Sequence, residues 1–343
     1  MLKMGNNINI NQLSKKEDWL QQLANVITKP EKLLNILELD NKYKIEKLNK
    51  LRTVFPLRVP KSFVNRMKKN TIKDPLLMQV LINHKELINT RGYSQDPLNE
   101  QSSTIPGLLH KYKNRIVLLL KNSCAINCRY CFRRYFPYYK NQGNKRNWQI
   151  ALNYINLHTE INEVIFSGGD PLIAKDHEIE WIIKQLETIS HIKQLRIHTR
   201  FPVVIPARVT DQLCKIFKKT KFNILLVTHI NHAQEINDEV FTIVYKLKKA
   251  GVTLLNQSVL LKGINDSVET LVRLNNTLFD VGILPYYLHI LDKVQGTAHF
   301  SVKKENILQL INDLPLQLSG YMIPKLVNDN HKFKKVLNNL HIK

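Results

Sequence analysis

Three cysteines lie within eight residues: Cys124-Ala-Ile-Asn-Cys128-Arg-Tyr-Cys131. The spacing is C-x3-C-x2-C. Thiolates hold iron–sulfur clusters, and a four-iron cluster normally takes four of them. Three neighbouring cysteines therefore leave one iron open, able to chelate the amino and carboxylate groups of S-adenosylmethionine (SAM) and to pass an electron to its sulfonium. Zinc is the rival occupant, but structural zinc sites favour paired C-x2-C units and need a fourth ligand. The one other cysteine, Cys214, lies in TDQLCKIF, an amphipathic helix where a buried core cysteine is the ordinary reading. His229 is the other candidate for a fourth zinc ligand.

A second motif, Ser167-Gly168-Gly169-Asp170-Pro171, follows about 40 residues later. Two glycines let backbone approach a ligand closely, and Asp170 can accept from an ammonium. An ordinary turn is the alternative. One unit after the cysteine loop, the pattern suits the SAM amino group.

These motifs need a scaffold. From residue 115 onward, short Val/Ile-rich runs (116–120, 163–167, 195–199, 224–229, 252–261 and 284–291) alternate with amphipathic segments. Buried parallel strands joined by crossover helices give this alternation. Six units are too few for a closed eight-fold barrel. The sequence predicts an α/β fold, a partial (β/α)6 TIM-like barrel at 106–315, with a mainly helical segment at 1–105 and a short tail at 316–343. Sites on such barrels form at the C-terminal strand ends. The polar residues fall there: the cysteine loop, SGGDP, His198 with Thr199 and Arg200, His229 with Asn231 and His232, and Asp292. Asn256 and Gln257 lie within the fifth run.

The bulk properties agree. With 343 residues and 43% hydrophobic content, the chain can bury a core. No apolar run is long enough to span a membrane, no signal peptide is recognisable, and clustered free thiols suit the reducing cytoplasm. The net charge of +23 is scattered without a dense basic tract, so compositional drift explains it better than nucleic-acid binding.

Beyond the cysteines, HKYKNR (110–115), CAINCRYCFRRYF (124–136), FSGGDPL (166–172), RIHTRFPVVIPARVT (196–210), THINHAQEI (228–236), NQSVLLKGIND (256–266), YYLHILDKVQGTAHF (286–300) and GYSQDPLNE (92–100) resemble the lysine 2,3-aminomutase family of radical SAM enzymes. Size and a short C-terminus resemble the branch that makes (R)-β-lysine for elongation factor P. The resemblance implies a [4Fe–4S] cluster on Cys124, Cys128 and Cys131, SAM, and pyridoxal 5′-phosphate (PLP). It implies that L-lysine is the substrate and that nitrogen migrates from C2 to C3. A flavodoxin or ferredoxin would donate electrons, and an elongation factor P lysyl-ligase would use the product.

The same resemblance assigns residues. Arg133 pairs with the substrate carboxylate, as its fork suits. Asp292 receives the ε-ammonium. Arg115 lies near the PLP phosphate. Gly168, Gly169, Asp170, His229, Asn231 and Gln257 surround SAM or PLP. Longer family members carry PLP on the lysine of a PGGGGK segment, which this chain lacks. Aligning its tail with the shorter SKTPL pattern makes Lys334 the PLP lysine, with Lys335 and Lys332 as rivals. The family's second acidic residue near the ε-ammonium is not recognisable. The alternatives are a radical SAM enzyme acting on another amino acid or on RNA, and a non-catalytic iron–sulfur protein that binds nucleic acid.

Overall fold

Short β-branched runs flanked by turn residues become strands, and the amphipathic stretches between them become the helices that cover those strands. The computed structural model describes residues 18–39, 55–329 and 334–336. Leu108–Tyr112 (β1) pairs antiparallel with Arg115–Lys121 (β2). Glu163–Gly168 (β3), Gln194–Thr199 (β4), Asn223–His229 (β5), Thr253–Leu260 (β6) and Leu284–Ile290 (β7) follow, each parallel to its predecessor. The six strands β2 to β7 coincide with the predicted runs. The sheet order is sequential from β1 onward, and its two end strands do not pair with each other, so the barrel stays open.

The tail departs from expectation. Lys325–Asp329 (β8) adds a seventh parallel strand beside β7, and Lys334–Val336 (β9) pairs antiparallel with β8. A stretch as short and polar as KLVND carries little strand signal, and its pairing with β7 supplies what local propensity lacks.

Four of the crossover helices start where a side chain caps them. Asn144, Thr210, Asn237 and Ser267 each accept a backbone N–H from the first turn. Helix Asp211–Lys219 buries Leu213, Ile216 and Phe217 on one face, the spacing a sheet-covering helix needs. Helix Val268–Val281 ends at Gly282, whose φ of 88° suits glycine.

Before β1 the helices are short, with Trp19–Ala24 and Pro30–Ile36 the longest among the described residues. The first gives way to the Ile27–Val59 bridge, which precedes the second. One hydrophobic cluster joins this segment to the barrel: Trp19, Leu33, Phe63 and Leu77 share it with Phe201 and Val204. The Trp19 ring meets Phe201 edge-on, 5.8 Å between centroids.

Candidate active site

The pleat sends alternate strand residues into the barrel. Arg115 and Val117 on β2, Arg196 and His198 on β4, and Tyr287 and His289 on β7 line one cavity of about 690 Å³. Cys124, Cys128, Cys131, Gly168, Gly169 and Asp170 line its rim, and Arg133, His229, Gln257 and Asp292 line it as well. The sequence-chosen residues are therefore brought together, with the exceptions described below.

The cysteine loop is held from behind by the N-terminal segment. Arg129 N donates to Gln79 O at 2.9 Å, and Asn127 N to Arg58 O at 2.9 Å. Arg58 Nε donates to Cys124 O at 2.7 Å. The side chains of Arg129 and Arg134 converge on the Glu86 carboxylate: Arg129 Nε at 2.9 Å, Arg134 Nη2 at 2.8 Å, with Arg129 Nη2 also bonded. All three side chains are fully buried. Gln79 and Glu86 were invisible as site residues because their partners are far away in the chain.

The glycines act somewhat differently from expectation. A Cβ on Gly168 would lie 2.3 Å from Lys121 O, and one on Gly169 would lie 2.2 Å from Ser123 O. Gly168 also has φ +135°. Both glycines let β3 press against the start of the cysteine loop, and Gly169 N and Asp170 N bond Lys121 O and Ser123 O, each at 2.8 Å. The Asp170 carboxylate accepts from Thr199 Oγ1 (2.7 Å), Arg200 N (2.8 Å) and Leu172 N (3.0 Å). Burial pushes its pKa up to about 6 against those bonds. Here Asp170 ties the ends of β3 and β4 together.

Arg133 Nε donates to Glu100 Oε2 at 2.7 Å and Nη1 to Ser167 Oγ at 3.1 Å. Burial opposes the charge, yet the Glu100 carboxylate more than offsets it and raises the pKa of Arg133. Glu100 is placed by its backbone N–H, which donates to Asp96 Oδ1 at 2.9 Å; the 92–100 motif was its signal. Burial, then Arg200 and His289, depress the His229 pKa well below its ordinary value, so the ring is neutral. Its Nε2 lies 3.1 Å from Tyr130 Oη. Gln257 stands opposite His229 in register.

One placement differs from expectation. Asn231 is fully buried behind the wall and does not line the cavity. Its Nδ2 donates to Tyr130 Oη and Gln79 Oε1 (2.6 and 3.0 Å), and its Oδ1 accepts from Val259 N at 2.9 Å. Arg115 sits at the start of β2, far from the rim, its guanidinium 3.8 Å from the Tyr112 ring centroid. Lys334 opens β9 opposite Asp329 in register, and Lys335 follows it. Lys332 lies outside the described residues.

The thiols fit a cluster. Burial, with neighbouring thiols adding to it, pushes Cys131 up to about 11 and Cys124 well above its ordinary value. A thiolate in that place needs a bound cation such as iron. Among the described residues, no three His, Cys, Asp or Glu side chains are grouped to hold one ion. A cluster does not require such convergence, because each thiolate binds its own iron.

Comparison with known proteins adds to this geometry. The radical SAM superfamily pattern matches residues 118–274, from β2 through β6 into the helix that follows. L-lysine 2,3-aminomutase of Escherichia coli (strain K12) is 55% identical over 314 residues, 92% of each chain. The enzyme of Buchnera aphidicola subsp. Baizongia pistaciae is 56% identical over 96% of this chain and 97% of its own. That of Haemophilus influenzae is 49% identical over 92% and 94%. Identity and coverage at this level make this chain a member of the L-lysine 2,3-aminomutase family of radical SAM isomerases, whose cofactors are a [4Fe–4S] cluster, SAM and PLP.

Proposed function

We propose that this chain converts L-α-lysine to (R)-β-lysine by 2,3-amino migration, dependent on PLP, and that the product supplies the modification of elongation factor P by a lysyl-ligase. Reduced flavodoxin or ferredoxin in the cytoplasm would supply the electron. One observation carries the reading: a single cavity extends from the cysteine loop to Arg115 at the far end of β2.

Bound there, the cofactors would supply a hydrogen-abstracting radical and a ring that delocalises an unpaired electron; the protein binds and orients. Cys124, Cys128 and Cys131 would hold the cluster. Gly168, Gly169, Asp170, His229 and Gln257 would border SAM, with the neutral His229 ring adding no charge beside the sulfonium. Arg133, fixed by Glu100, would take the lysine carboxylate, and Asp292 its ε-ammonium. Arg115 and Arg196, with Tyr112 and Tyr287, line the cavity away from the cysteine loop, and their charge and ring faces suit a phosphorylated pyridine. Lys334 would carry PLP.

The test is anaerobic reconstitution with iron, sulfide and PLP, then incubation with lysine, SAM and dithionite, with chiral chromatography of the product. (R)-β-lysine is expected. Enzyme with a full cluster and bound PLP that forms none overturns the proposal. Borohydride reduction should fix PLP on Lys334 and leave Lys335→Met unaffected.

A further inference from the structure

We propose that Arg200 raises the reduction potential of the cluster held by the cysteine loop. The inference rests on the reading that Cys124, Cys128 and Cys131 carry a [4Fe–4S] cluster. Arg200 follows β4 and is 6% exposed. Its Nη1 lies 2.7 Å from Cys128 Sγ and 2.9 Å from Tyr130 Oη. Its Nη2 reaches Gln79 Oε1 at 2.7 Å and Glu235 Oε2 at 2.9 Å. The fork thus spans a cluster ligand on one side and a fully buried carboxylate on the other.

Reduction adds one electron from a low-potential one-electron donor and leaves the cluster with one more negative charge. No bond in the protein forms or breaks. Hydrogen bonds to cluster sulfur and nearby positive charge both favour the reduced form, and low local dielectric strengthens both. Arginine keeps its charge when buried. Glu235 opposes the effect, because its negative charge partly cancels that of Arg200. Its other contacts hold the assembly in place: Gln79 Nε2 at 3.1 Å, Asn231 N at 2.9 Å and His232 N at 3.2 Å. Arg200 is therefore a positioning and tuning residue.

The test is an EPR-monitored redox titration of anaerobically reconstituted protein, with iron and sulfide quantified in each sample. Arg200→Gln should lower the reduction equilibrium constant at least tenfold, a fall of about 59 mV for one electron. Arg200→Lys, which keeps the charge, should lie nearer wild type. Glu235→Gln should shift the potential upward. A purely structural role predicts no such opposition of sign. Arg200→Gln with full iron and less than a twofold change overturns the inference while leaving the cluster reading intact. Should Arg200→Gln fail to fold, an unmoved or lowered potential in Glu235→Gln overturns it instead. Wild-type protein that binds no iron–sulfur cluster overturns both.

Discussion

Replacing Glu86 by alanine tests whether the N-terminal segment builds the proposed cluster site. Glu86 is the carboxylate partner of both Arg129 and Arg134, and all three side chains have zero exposure. Arg129 directly follows Cys128 and Arg134 comes three residues after Cys131, so the two arginines anchor the chain just beyond two of the three thiols. Removing one partner of a buried pair costs about 3–5 kcal/mol, because the remaining charge stays uncompensated. Here two guanidiniums would be left facing each other, both against the Phe55 ring at 4.9 and 5.0 Å. The backbone contacts Arg129 Nη1 to Phe55 O (2.7 Å) and Arg134 Nη1 to Gly296 O (3.2 Å) survive the change. They cannot neutralise charge, so the full cost is expected. Against a total stability of about 5–15 kcal/mol, this should lower Tm by on the order of 10 °C. Loss should be greater at the loop than globally. Iron and sulfide content after anaerobic reconstitution, read beside the thermal melt, separates the two. Glu86→Gln keeps an acceptor for Asn83 N but not the charge, and should resemble alanine. A Glu86→Ala protein with full iron content and an unchanged melt refutes the reasoning.

Gly169→Ala should lose cluster and SAM binding, since its Cβ would sit 2.2 Å from Ser123 O; Gly320→Ala, with nothing within 4 Å, is the matched control. Iron content and equilibrium dialysis with SAM check both, and a Gly169→Ala protein that binds normally contradicts the close-approach argument. Asp292→Asn should raise KM for lysine roughly 10–150-fold, the value of a hydrogen bond to a charged group at about 1.5–3 kcal/mol, with a smaller change in kcat; an unmoved KM removes Asp292 from the ammonium site. Burial lowers the His299 pKa from 6.5 to about 4, although Glu86 pulls the other way. The unfolded chain then takes up this proton near pH 6.5 and the folded chain only near pH 4. The stability it contributes is complete above pH 6.5 and is lost as pH falls toward 4, by on the order of 2 kcal/mol after allowance for partial exposure. Chemical denaturation across that range should show a shallower pH dependence in His299→Phe, and parallel curves would refute the assignment.

The barrel was legible because its strands are buried on both faces and its helices on one. ILLVTH reads as a parallel strand without help, and TDQLCKIFKK reads as a helix with its own cap. The candidate cluster thiols stood out for a related reason: three cysteines within eight residues share one loop whatever the tertiary structure. The clamp was not legible. Gln79 meets Asn231 across 152 residues and Glu86 meets Arg129 across 43, and a lone Gln or Glu in an irregular segment carries no local sign of such a partner. Asn231 failed in the opposite way. It has the right residue type at the right strand end, but a turn led by His232 buries it among Tyr130, Gln79 and Val259. Strand β1 escaped notice because three of its five residues are only half-buried.

The open barrel also explains where the second cofactor's proposed partners stand. The seven parallel strands β2 to β8 present the cysteine loop and the SGGDP turn at their C-terminal ends, as parallel sheets do. An incomplete ring leaves two edges, and unpaired strand edges must be covered. Here each edge is finished by an antiparallel addition, β1 on one side and β9 on the other. Tyr112 and Arg115 stand where β1 turns into β2, and Lys334 opens β9. Of the residues proposed to border PLP, Arg115 and Lys334 therefore belong to the antiparallel pairs that finish the sheet and Arg196 and Tyr287 to the parallel strands between, while the three cysteines lie on the loop after β2.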